Sequence, residues 1–165
     1  MHKTISDLIS KNLPQNYRLI RDIACGGNQH IPLFCSLEKS RETQYNNVDL
    51  IILREGRILV IIEIEEANVK PIHICGKFLS SALSHYYIHE KEDAPIEMHD
   101  RVVFIQVVTT SNLKRDKTSK MEQWKKIEKS IKNILPIKGS RIKEYRIFNE
   151  EQLDDLIQFL KQICN

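Results

Sequence analysis

Three carboxylates, Asp49, Glu63 and Glu65, sit in or beside the two most apolar runs of the chain, VDLIILR (48–54) and RILVIIEIE (57–65). Runs so rich in Ile, Leu and Val read as strands buried on both faces. An ionised carboxylate is costly in such a place unless its charge is compensated, and a divalent cation can do this. Converging carboxylates make a hard, oxygen-only site that suits Mg2+, with Mn2+ as a substitute. Mg2+ takes one or two carboxylates and fills its other positions with water and substrate oxygens. Such an ion polarises a phosphodiester, generates hydroxide from bound water and stabilises the leaving oxygen. The plainer alternative is that Glu63 and Glu65 are strand-end residues meeting water, with Glu66 following them.

Whether the three acids meet depends on the turn between the runs. Side chains alternate along a strand, so Glu63 and Glu65 share a face. A two-residue loop at Glu55-Gly56 would set Asp49 opposite Ile62, on the wrong face. A three-residue loop, Arg54-Glu55-Gly56, sets Asp49 opposite Ile61 and on the face of both glutamates. Gly56 then occupies the position that needs positive φ, and this favours the longer loop. Asp49 and Glu63 become diagonal neighbours. A bulge would shift the register by one.

The flanking elements follow from periodicity and punctuation. TISDLISKNL (4–13) patterns as a helix capped by Thr4, with Asp7 at the capping-box position and Pro14 as its stop. YRLIRDI (17–23) fits either a strand or a short helix. ACGGNQH breaks structure, IPLFCSLE (31–38) is a short strand and KSRETQYN (39–46) a polar loop. After the hairpin, Pro71 opens a helix over 72–89, where small residues allow close approach to a sheet. A charged loop (90–100) leads to the strand RVVFIQVVTT (101–110). MEQWKKIEKSIKNIL (121–135) is amphipathic, with Trp124 as a core anchor. IKEYRIF (142–148) is a strand, and 149–164 is a closing helix with Asn149 and Gln152 as a capping box. The order α, β, β, β, α, β, α, β, α implies an α/β domain spanning 1–165, a mixed sheet flanked by helices.

In this setting the chain resembles the PD-(D/E)xK nuclease superfamily, which includes many restriction endonucleases and repair nucleases. The family pattern is an acid on one strand of a hairpin, (D/E)-x-K on the next, then a helix and a further strand. Asp49 fills the first position, after Val48 instead of proline, and Glu63 fills the second. Glu65 stands where the lysine would be, an E-x-E that some restriction endonucleases of the superfamily also carry. The resemblance covers about residues 31–110. It implies a restriction-endonuclease-like αβββαβ core, here followed by a C-terminal αβα extension, and a Mg2+-dependent endonuclease acting on DNA. Asp49 and Glu63 would be metal ligands. Glu65 would be a third ligand or accept a proton from the attacking water. Lys77, on the following helix, matches superfamily members with a displaced lysine, and Lys70 is a second candidate. Glu38 could supply a further acid; Asp7 is a more remote one. Such enzymes often act as homodimers, so that both strands are cut.

Composition sets the context. The 165 residues are 41% hydrophobic and 28% charged, as in an ordinary soluble domain. The net charge of +3 is uneven: residues 114–143 hold eleven Lys/Arg against three acids, leaving 14 against 19 elsewhere. Lys114, Arg115, Lys117 and Lys120 are the candidate phosphate contacts; a solvated lysine face is the competing explanation. Cys25, Cys35, Cys75 and Cys164 form no CxxC pair, and in a chain whose default location is the cytoplasm they read as reduced, partly buried thiols. The spacing of Cys25, His30 and Cys35 matches no zinc finger. No run approaches the roughly 18 apolar residues of a membrane span, and the N-terminus lacks a signal-peptide core. His85 and His89 lie four apart on the expected helix and read as exposed. Two other functions stay open. One is a structure-specific repair or junction nuclease, in contrast to a site-specific cutter, which would read base edges with Arg, Asn or Gln from loops such as 39–46 and 111–119. The other is a nuclease-like protein that binds without cutting, as the absent lysine suggests.

Overall fold

The computed structural model describes residues 1–66, 69–110 and 117–164. Helix α1 (His2–Asn12) leads into β1 (Tyr17–Arg21), and a single 3-10 turn (Ile23–Cys25) precedes β2 (Pro32–Phe34) and β3 (Gln44–Asn47). The central hairpin is β4 (Leu50–Arg54) and β5 (Arg57–Glu65). Helix α2 (Pro71–Ala82), β6 (Tyr86–Tyr87) and the long β7 (Ile96–Val108) follow, then α3 (Lys117–Ile134), β8 (Ile142–Asn149) and α4 (Leu153–Ile163).

Along the sheet the order is β1-β4-β5-β7, with β8 on the other side of β7. The β1–β4 and β4–β5 pairs are antiparallel, whereas β5–β7 and β7–β8 are parallel. The first residues of β7 pair instead with β6, which carries β2 and β3 as an antiparallel outer group. The result is a mixed, mostly antiparallel sheet with helices on both faces. On one face Ile51, Ile61, Phe104 and Tyr145 pack against Phe78 of α2 and Trp124 of α3. On the other, Ile52, Ile62 and Ile105 pack against Ile5 and Ile9 of α1 and Leu156 and Leu160 of α4. Double-sided burial explains why β4 and β5 are almost wholly apolar.

The expected order of elements holds in outline, including the α3-β8-α4 extension, but the strand beside β4 is β1, not the 31–38 run. Only Pro32–Phe34 of that run is strand, and it lies in the outer group. The first helix starts earlier than expected, with Met1 as N-cap and no side-chain cap, so Thr4 is not its cap. The helix after Pro71 stops at Ala82, well short of His89. There Ser84 Oγ donates back to the Ser80 carbonyl, and the His85 N–H turns to the Phe34 carbonyl, drawing the chain into β6. The charged segment 90–100 was expected to be loop throughout, yet Ile96 and Met98 are buried and extend β7 backwards. The capping box of Asn149 and Gln152 is formed as expected.

The turn departs from expectation in a way that matters for the site. Glu55 and Gly56 both have positive φ, 52° and 74°, and Arg54 pairs with Arg57. This is the two-residue turn, which alone would put Asp49 on the wrong face. The ladder runs Leu53↔Ile58 and then Ile52↔Val60, so Leu59 is an extra residue in β5. That bulge shifts the register by one, giving Leu50↔Ile62. Carried one step further, the register sets Asp49 directly across from Glu63.

Candidate functional site

Glu63 and Glu65 leave β5 on the α2 face, beyond Ile61. Glu63 is fully buried, at 0% exposure. Its Oε2 accepts a hydrogen bond from Lys77 Nζ at 3.0 Å, and its Oε1 accepts one from Asn46 Nδ2 at 3.1 Å. Asn46 Nδ2 also lies 3.0 Å from Ser81 Oγ, so β3 and α2 together fix the amide. Lys77 Nζ stands 2.6 Å from Glu65 Oε1 and thus bridges the two glutamates. Across the hairpin, Asp49 Oδ2 accepts the Ile64 N–H at 2.7 Å. His2 Nε2, from the start of α1, lies 3.7 Å from the same oxygen, and His2 Nδ1 lies 2.9 Å from Glu66 Oε1.

Electrostatics separates these acids. Burial pushes Glu63 up to about 8, and the charge of Asp49 adds to the shift, while Lys77 and Asn46 oppose it. Lys77 falls short because it shares one ammonium between two carboxylates. Burial also works against the charge of Lys77, but Glu63 and Glu65 outweigh it and hold the lysine protonated above its ordinary value. Burial would raise Asp49; the His2 contact and the Ile64 N–H overcome it and keep Asp49 below the usual carboxylate range. His2 is raised to about 9, chiefly by Asp49, against burial and with help from Glu66. The site thus holds carboxyl groups of opposite tendency, one favouring the proton and one favouring the charge.

Asp49, Glu63, Glu65 and Lys77 are therefore brought together. Among the described residues, no group of three or more His, Cys, Asp or Glu side chains is placed to hold a metal ion. Lys77 and Asn46 occupy the two oxygens of Glu63 and Lys77 also engages Glu65, so a cation shared by Asp49 and Glu63 would take the place of the lysine ammonium. A two-carboxylate donor set of this kind fits Mg2+, which keeps most of its coordination for water and substrate.

The other candidates are scattered. Glu38 is exposed, with local contacts: its N–H approaches Ser36 Oγ at 3.4 Å and its carbonyl accepts from Thr43. Lys70 is exposed at the N-cap of α2. Asp7 pairs with Arg21 at 2.7 Å. Lys117 is exposed in the first turn of α3, and Lys120 donates to Gln123 at 3.2 Å. Lys114 and Arg115 lie outside the described residues. His85 and His89 flank β6 and share no helix face.

Sequence reasoning missed Asn46 and His2 as parts of the site. Asn46 stood in a segment read as loop, and only the pairing of β3 with β2 aims it at Glu63. No local spacing links position 2 to position 49. Compared with known proteins, the chain matches no family model, no curated protein and no solved structure.

Proposed function

We propose that this protein is a Mg2+-dependent endonuclease that hydrolyses DNA phosphodiester bonds, of the restriction type. One observation carries the reading: Asp49 faces Glu63 across the hairpin, and Lys77 sets its ammonium 3.0 Å from Glu63 and 2.6 Å from Glu65. Mg2+ or Mn2+ held by Asp49 and Glu63 would polarise the phosphodiester and acidify a bound water. Asn46 orients Glu63 by occupying one of its oxygens. Glu65 is the acceptor for the proton of the attacking water. Lys77, held charged by both glutamates, offsets the negative charge that develops on the phosphorus oxygens. The lysines of α3, Lys117 and Lys120 among them, add sequence-independent attraction for the DNA backbone. Cutting both strands requires two such sites, supplied by a homodimer.

The test is nicking of plasmid DNA with Mg2+ or Mn2+. Asp49→Asn and Glu63→Gln are expected to abolish it while the fold survives, and activity that persists in either variant would remove these residues from the mechanism. Branched substrates cut in preference to plasmid would move the assignment to a repair or junction nuclease.

A second reading rests on Lys77 itself. Its ammonium supplies the positive charge the two glutamates require, which suits a nuclease-like protein that binds a partner without cutting. Calorimetry with Mg2+ and Mn2+ separates the two: metal uptake lost in Asp49→Asn supports the nuclease, and no uptake by the wild type supports the binding protein.

A further inference from the structure

At the far end of the sheet, between the starts of β8 and of the main-sheet part of β7, the end of β4 and the last turns of α4, lies a cavity of about 560 Å3. Leu59 lines it and precedes Glu63 by four residues, about 13 Å of strand, on the opposite sheet face. This recess is separate from the carboxylate site. It is ringed by Arg54, Arg101, Lys143 and Arg146, with Glu144 as the acid among them.

These cations are not used up by the protein. Arg18, Arg21, Arg57 and Arg141 each find a carboxylate. Arg54 and Arg101 have no ion pair and no side-chain hydrogen bond among the described residues. Lys143 donates once, to the Ser140 carbonyl at 2.7 Å, which leaves two protons for another acceptor. Arg146 reaches Glu144 with Nε at 3.3 Å, and its guanidinium rests over Phe159, 5.0 Å from the ring centroid. Phe159 is steadied by Phe148 at 5.9 Å, so Arg146 is held in place. The backbone N–H of Arg101 approaches His99 Nδ1 at 3.3 Å, fixing the segment that presents Arg101.

Four cations outnumber the single acid around this recess, and Arg101 and Lys143 are exposed to an incoming ligand. Guanidinium forks match the oxygens of a phosphate in pairs. We propose that this cavity is a binding site for a phosphate-bearing ligand, gripped by Arg54, Arg101, Lys143 and Arg146. The ligand is a free nucleotide or the phosphate backbone of a nucleic acid, and the site stands whether or not the carboxylates cut DNA.

Titration calorimetry on the full chain tests this, with ATP, inorganic tripolyphosphate and a short DNA duplex as probes. Arg54→Gln and Arg101→Gln are each expected to weaken binding about tenfold, as loss of a charge-assisted hydrogen bond implies, with the melting temperature unchanged. Binding of ATP or tripolyphosphate that both variants weaken assigns a free phosphate compound. Binding confined to DNA, and weakened by the same substitutions, assigns the backbone. If no probe binds, or if both variants bind as tightly as the wild type, the site is overturned.

Discussion

Replacing Glu63 with Gln is expected to strengthen the fold at alkaline pH and to change it little at acid pH. Glu63 is wholly buried, and its folded pKa is about 8 against an ordinary 4.5. An acid held above its unfolded value contributes stability that is fully present below about pH 4.5. That contribution is lost as pH rises to about 8, because the unfolded chain then binds fewer protons than the folded one. At about 1.4 kcal/mol per pKa unit, this interval corresponds to roughly 5 kcal/mol. Gln carries no charge and avoids the loss. It gives up part of the Lys77 contact, about 1.5–3 kcal/mol for a charge-assisted hydrogen bond, although Lys77 retains Glu65. The net expectation is a gain of about 2–3 kcal/mol near pH 9 and a loss of about 1 kcal/mol or less near pH 5. Urea unfolding of wild type and variant at both pH values, followed by the fluorescence of the buried Trp124, measures the difference. An effect of the same size at both pH values, or destabilisation at both, would refute the reasoning.

Other substitutions probe the scaffold. Glu55 sits at φ 52° in the hairpin turn, where Asn is favoured, so Glu55→Asn should raise stability by about 0.5–1 kcal/mol in urea melts. A Cβ at Gly27 would lie 1.9 Å from the Arg21 carbonyl oxygen, so Gly27→Ala should cost about 3 kcal/mol or more and lower the melting temperature. Asn149→Ala removes the capping box before α4; the expected loss is about 1 kcal/mol, with faster amide exchange in the first turn of that helix.

Where local chemistry decides structure, the sequence was a good guide. The bounds of β5 and the capping box at Asn149 follow from alternation and spacing, and both are found as expected. Where distant partners decide, it was not. Ser80 and Ser84 continue a helical pattern until the Phe34 carbonyl claims the chain for β6, a contact no local window contains. Ile96 and Met98 looked like apolar residues in a charged loop, and only the strands on either side reveal them as part of β7. The hairpin is the instructive case. Asp49 does face Glu63, but the turn expected to bring this about is absent, and a bulge at Leu59 supplies the needed parity. A bulge leaves no residue signature as clear as a glycine, so the placement was legible while its cause was not.

The length of β7 bears on how the chain reaches this fold. Until residue 108 is available, β5 has a partner on one side only, and its other edge is a row of unpaired peptide groups flanked by Ile, Leu and Val. A nascent chain that ends between β5 and β7 therefore carries its most aggregation-prone segment unprotected. The charges that punctuate the hairpin, Arg54, Glu55 and Arg57 at the turn and Glu63 and Glu65 at the far end, then act as gatekeepers against mispairing with another chain. The acids proposed for chemistry in the finished protein would already be useful during its synthesis, before any site exists.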